Sequence, residues 1–305
     1  MDIKTFKVER WMNEYEGQAV YNLAETCVDS ITIKELLELA GEDVDSYMRS
    51  LADLRLSYSH IFGSPQLLAG IASLYKDVKP QHVIPTHGAI GANNQVITTL
   101  IGRDDNMVSV MPTYQQHYSI PESIGADVRI LQLTLEDDYL PNLDVLRSLV
   151  DEKTKMITIN NPNNPTGSWI PVDIMQEIIE IAKSVDAYVL CDEVYRGIAE
   201  DERYMHSIVD LYDKGISVGS MSKVFSMAGV RMHLCHERRD YDTISCGVVD
   251  DALSSLALAH KEAIFARNRG ILNKNRAILD QWVNETPEVK YLRPVAGTTA
   301  LVYYN

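Results

Sequence analysis

Lys223 stands in the run GSMSKVFSMAGVR, between Ser220, Ser222 and a downstream Arg231. A lysine amine in such a loop can condense with a carbonyl compound, which few other side chains can do. Upstream, Asp192 and Tyr195 close AYVLCDEVY, Asn164 lies in NNPNNPTG, Tyr114 ends NMVSVMPTY, and Gly88, Ala89 and Ile90 open HGAIGANNQVITTL. A carboxylate keeps a ring nitrogen protonated, while a phenol and an amide can hold a ring hydroxyl. Serine hydroxyls, a bidentate arginine and the free N–H groups of a helix start suit a phosphate. Each residue also has an ordinary reading: HGAIG as a tight turn, Tyr114 as a packed aromatic, Asn164 as a turn former, Asp192 as a helix cap, Lys223 as a solvated lysine. Those readings do not predict that all of them meet in one place.

The elements that carry these residues do predict it. KMITINNP, from about Lys155 to Asn160, is a β-branched run ending in Asn and Pro, and VDIMQEIIEIAKSV repeats apolar residues at helical spacing. AYVLCDE follows as a second apolar strand ending at Asp192, so strand, helix and strand form a parallel βαβ unit. GISVGS is a further strand, NMVSVMPTY a strand leading to a loop, and QHVIPTHGAIGANNQVITTLIG a turn feeding a helix. In open parallel sheets ligands sit beyond the carboxyl ends of the strands, which is where Tyr114, Asn164, Asp192, Tyr195, Ser220 and Lys223 fall.

A condensing lysine, a carboxylate for a ring nitrogen, hydroxyl-binding groups and a phosphate cup together describe a site for pyridoxal 5'-phosphate. Asn164-Pro-Thr-Gly167, Asp192-Glu-Val-Tyr195 and Ser220-Met-Ser-Lys223 with Arg231 eight residues on resemble the class I/II aminotransferases of the fold-type I pyridoxal phosphate enzymes, from about Tyr58 to Gly297. The resemblance implies a large domain with a mostly parallel central sheet flanked by helices, plus a smaller α/β domain. It implies Lys223 as the Schiff-base lysine and proton shuttle, Asp192 as partner of the pyridine nitrogen, and Asn164 and Tyr195 on the ring hydroxyl. Tyr114 would stack on the ring, and Ser220, Ser222, Arg231 and backbone from Gly88 to Ile90 would hold the phosphate. Tyr58, five residues before Gly63, matches a tyrosine that reaches the neighbouring subunit's phosphate, implying a homodimer. The implied reaction moves an amino group between an L-amino acid and a 2-oxo acid. A β-lyase cleaving C–S bonds would use the same residues and is the alternative within the fold.

Composition narrows the rest. The 305 residues carry 28 Lys and Arg against 43 Asp and Glu, a net charge of −15, which excludes a broad nucleic-acid or anionic-membrane surface. Cys27, Cys191, Cys235 and Cys246 form no CxxC pair and no zinc spacing, and no apolar run spans a bilayer, so a reducing, cytoplasmic setting is expected. No GxxxxGK[ST] occurs, which removes a P-loop nucleotide site. His233 and His236 have ligand spacing without a second pair, and a polar helix end accounts for them.

The expected organisation is an N-terminal arm or part of the small domain over 1–45, a large domain over 46–250, and over 251–305 a bridging helix with a break near Gly270 followed by two strands that start the small domain. Two departures from the family are expected to matter. MHLCHERRD after Arg231 lacks the family's glycine and strand, as though one strand and its turn were absent, and no position inherits the arginine that clamps the substrate's α-carboxylate, as in a truncated form with impaired activity. Arg239 is a candidate for that cation. Trp11, Tyr15 and Tyr21 either line a pocket or anchor the arm.

Overall fold

Alternation of residues across each strand builds the centre of the molecule. The computed structural model describes residues 3–58, 60–200, 205–230 and 245–304. Strands β1 (Asn106–Met111), β2 (Asp127–Gln132), β3 (Thr154–Asn160), β4 (Tyr188–Asp192) and β5 (Gly215–Val218) form a sheet in the order β2-β1-β3-β4-β5. Every pairing is parallel. Val108, Ile157 and Val189 point to one face, where Met175, Ile178, Ile179 and Ala182 of α8 (Val172–Ser184) cover them. Their chain neighbours Met107, Met156 and Leu190 point to the other, under Ala92, Val96 and Ile97 of α5 (Gly88–Leu100) and Ile120 of α6 (Gln116–Ile124). A sheet buried on both faces exposes its strand ends, not its surfaces, to ligands.

A separate helical layer supports the lysine loop. Helices α2 (Ile33–Ala40), α4 (Pro65–Ala72), α9 (Val248–Ala259) and α10 (Lys261–Glu285) gather around Phe225 and Phe265, whose rings lie 5.0 Å apart. Short helices α1 (Lys7–Tyr15), α3 (Val44–Ala52) and α7 (Leu143–Leu149) complete the helical set among the described residues. The chain between Asp250 and Glu285 breaks at His260, not near Gly270. Gly270 is exposed with open space around it, and one such glycine costs only about 1 kcal/mol. Ile264, Phe265, Asn268 and Arg276 bury their side chains on either side of it and hold α10 continuous.

Beyond α10 the two expected strands, β6 (Val289–Tyr291) and β7 (Val302–Tyr304), are present, and they pair antiparallel. The segment between them sits against the large sheet's loops. A Cβ on Gly167 would lie 2.4 Å from Pro294 Cβ and 2.6 Å from the Thr299 carbonyl, so only glycine permits this approach. Residues 231–244, which hold Arg231, both histidines of the HxxH spacing, Arg239 and the junction where a strand is expected to be absent, lie outside the described residues. No helix among the described residues is long and apolar enough to cross a membrane.

Candidate active site

Three adjacent strand ends converge. Asn160 at the end of β3 is in register with Asp192 at the end of β4, and Asp192 with Val218 at the end of β5. Backbone bonds stitch the loops beyond them: Asn161 N–H donates to the Asp192 carbonyl at 2.9 Å, and Glu193 N–H to the Val218 carbonyl at 2.8 Å. Asn160 Nδ2 also donates to the Asp192 carbonyl, while its Oδ1 accepts from Asn164 N–H at 2.6 Å. One side chain thus ties the NPTG loop to the end of β4.

Asp192 is 4% exposed. Its Oδ1 accepts from Val194 N–H at 3.2 Å, and its Oδ2 accepts from Asn93 Nδ2 at 3.1 Å and lies 3.3 Å from His117 Nε2. Asn93 and His117 are both fully buried, and their other polar atoms, Asn93 Oδ1 and His117 Nδ1, have no partner among the described residues. A buried carboxylate steadied by an amide, a peptide N–H and an imidazole retains capacity for one more donor.

Lys223 is held from both ends. Its loop is pinned by Asn268 of α10, whose Nδ2 donates to the Val224 carbonyl at 2.9 Å, and by Met227 N–H donating to the Met221 carbonyl. Its amine donates to Thr26 Oγ1 at 2.6 Å and to Cys27 Sγ at 3.3 Å. Burial pushes the Cys27 thiol above its ordinary range. Ser220 Oγ accepts from Ser222 N–H at 2.9 Å, so both predicted serines belong to the same turn after β5.

The aromatic residues close the site. Tyr195 is 2% exposed, and burial, reinforced by the Asp192 charge, pushes its phenol well up, although contact with Thr26 pulls the other way. A Cβ on Gly297 would come 3.3 Å from Tyr195 Cβ, so this glycine lets the segment between β6 and β7 pass over the ring. Tyr114 follows β1; its hydroxyl donates to Glu9 Oε1 at 2.8 Å and its ring meets Phe6 at 4.9 Å. Burial first, then Glu9 and Asp192, hold its phenol far above the ordinary value. Gly88, Ala89 and Ile90 form the first turn of α5, which His87 does not cap through its side chain.

Of the predicted residues, the structure draws Asn164, Asp192, Tyr195, Ser220, Ser222 and Lys223 to one end of the sheet, with Tyr114 and the start of α5 beside them. Tyr58 is 71% exposed, and Arg231 lies outside the described residues. Trp11 and Tyr15 pack on each other at 5.8 Å and remain about half exposed, and Tyr21 is 85% exposed. The arm is tied through Phe6 and Glu9 to Tyr114, and through Thr5 and Lys7 to Gln115. Sequence reasoning missed Asn93, His117, Thr26 and Cys27. For Asn93 a signal existed: it is a polar residue in GAIGANNQVITTL on the face that also carries Ala92, Val96 and Ile97.

Comparison with known proteins points the same way. The family described as aminotransferase class I and II matches residues 26–238. The chain is 42% identical to a PLP-dependent aminotransferase from Streptococcus suis, with a TM-score of 0.95 over 100% of this chain and 83% of that one. It is 24% identical over 285 residues to capreomycidine synthase of Streptomyces vinaceus, covering 90% of this chain and 73% of that protein. It is 28% identical over 219 residues to a probable aspartate aminotransferase of Methanocaldococcus jannaschii, covering 70% of this chain and 58% of that protein. The chain thus spans less than two thirds of that relative's length.

Proposed function

Because the chain belongs to the class I and II aminotransferase family, whose members depend on pyridoxal 5'-phosphate, we propose that it transfers an amino group between an L-amino acid and a 2-oxo acid with Lys223 as the covalent anchor and proton carrier. The observation that carries the reading is Asp192: a buried carboxylate at a strand end, whose partners among the described residues include no lysine or arginine. Such a group fits a protonated pyridine nitrogen. The unpartnered atoms of Asn93 and His117 beside it, and the start of α5 without a side-chain cap, fit the same cofactor.

When bound, pyridoxal 5'-phosphate supplies a ring that takes up the electron pair left at the substrate's α-carbon. Asp192 holds the proton on the ring nitrogen. Tyr195 and Asn164 hold the ring hydroxyl, and Tyr195, kept neutral by burial, does so as a donor. Ser220, Ser222, Arg231 and the N–H groups of Gly88 to Ile90 hold the phosphate, and Tyr114 packs against the ring. Lys223, once released as a free amine, takes the proton from the substrate's α-carbon and returns it at the other end of the reaction. Tyr58 completes the phosphate site of a second subunit in a homodimer; its exposure supports this. The free thiols of Cys27, Cys191 and Cys246 suit a reducing, cytoplasmic setting.

Adding pyridoxal phosphate to the purified chain should produce a visible absorbance band, and the band should disappear in Lys223→Ala. Mixing the loaded protein with single amino acids should then convert the band only where an amino group is transferred. An absent band, a band that survives Lys223→Ala, or release of pyruvate and ammonia from one substrate without an oxo acid would overturn the assignment.

A further inference from the structure

The amine of Lys223 is met by a segment 197 residues away in the chain. Thr26 Oγ1 accepts from Nζ at 2.6 Å, and Cys27 Sγ takes a second N–H at 3.3 Å. The segment is itself fixed: the Thr26 carbonyl accepts from Thr298 Oγ1 at 2.6 Å, and Cys27 N–H donates to Glu25 Oε1 at 3.1 Å. The Thr26 hydroxyl also touches Tyr195, so one oxygen links the lysine to the phenol.

We propose that Thr26 is a positioning residue for Lys223, a neutral perch that holds the free amine in place between its two proton transfers. This rests on the reading of Lys223 as the proton carrier. A lysine stem has many rotamers, and an amine that must reach one carbon loses rate if it wanders. Threonine suits the perch because its branched Cβ restricts the hydroxyl to few directions. A hydroxyl and an un-ionised thiol bring no charge of their own to the amine, while the Glu25 and Glu16 carboxylates nearby interact with it electrostatically. Burial keeps the Cys27 thiol protonated, in agreement with such a role.

Thr26→Val removes the acceptor and preserves the shape, and Thr26→Ser restores the acceptor. In the full chain stripped of cofactor, mass spectrometry should show Lys223 acylated by an amine-directed reagent about tenfold faster in Thr26→Val than in wild type, the worth of one hydrogen bond. In the loaded enzyme Thr26→Val should lower kcat by about tenfold with little change in KM, and Thr26→Ser should recover most of the loss. The isotope effect from deuterium at the substrate's α-carbon should rise in Thr26→Val, because proton transfer becomes slower relative to other steps. Unchanged labelling and an unchanged isotope effect in Thr26→Val, with the absorbance band intact, would overturn the perch alone. No band in the wild type would overturn the functional reading, and with it this role, whatever the labelling shows.

Discussion

Asp192 and Glu193 are neighbours in the chain, both carboxylates and both 4% exposed, yet their surroundings are opposite. Glu193 is saturated. Its Oε2 pairs with Arg196 Nε at 2.8 Å and accepts from Ser217, while its Oε1 accepts from Ser207 Oγ and Ile208 N–H. Arg196 in turn donates to the carbonyls of Leu74 and Met205 and lies 4.5 Å from the centre of the Tyr75 ring. Asp192 has an amide, an imidazole and one peptide N–H, with unpartnered atoms next to it. Alternate side chains at a strand end face opposite sides of the sheet, so one carboxylate turns toward α5 and α6 and the other toward the 205–208 loop. On the proposed reading, the difference separates a charge buried to fix a structure from one kept for the protonated nitrogen of the cofactor.

The comparison can be broken at either residue. Asp192→Asn keeps the size and most hydrogen bonds but cannot hold a ring proton electrostatically. Activity should fall by about 100- to 1,000-fold while the midpoint of urea unfolding moves little. Equal losses of activity and stability would show that Asp192 is structural after all. Glu193→Gln should do the reverse, since it leaves the Arg196 guanidinium buried without its counter-charge, at a cost of about 3–5 kcal/mol in unfolding free energy. A Glu193→Gln protein as stable as wild type would remove the distinction drawn between the two carboxylates.

How much of this was legible in the sequence follows from the range over which each feature is encoded. β3, α8 and β4 were readable because their patterns are local: β-branched runs, a 3.6-residue repeat and the residues that end them. Lys223, Asp192 and Asn164 were readable because each sits at or beyond the end of a strand, and parallel strands share one carboxyl end. The residues that tune them were not, since Asn93 and His117 reach Asp192 across 99 and 75 residues, and Thr26 reaches Lys223 across 197. No spacing rule connects such positions; the packing of α5, α6 and the arm does. The helix break went to His260 for a similar reason, because a buried stripe around Gly270 outweighs a glycine's local cost. The arm's anchoring by Phe6 and Glu9 depended on where Tyr114 would stand.

The smallest expected effect uses nearby phenols as electrometers. Burial is the main cause that raises Tyr114, Tyr195 and Tyr75, but the charges around them differ. Asp192 pushes Tyr114 and Tyr195 further up, and among the described residues no arginine or lysine is a main influence on either. At Tyr75 the lowering by Arg196 ranks ahead of the raising by Glu193. The sign for stability follows directly: the folded chain keeps phenol protons that an unfolded chain releases above its ordinary pKa of about 10, so stability is full below that pH and declines as pH climbs past it. Nuclear magnetic resonance of isotope-labelled tyrosine ring carbons, assigned with Tyr→Phe variants, reads each titration. In Asp192→Asn the Tyr114 and Tyr195 titrations should move downward and the alkaline loss of stability should become shallower, while Glu193→Gln should leave both phenols where they were. Movement of Tyr114 and Tyr195 in Glu193→Gln as large as in Asp192→Asn would mean that Arg196 does not confine the Glu193 charge, and that the two carboxylates act on the site as one.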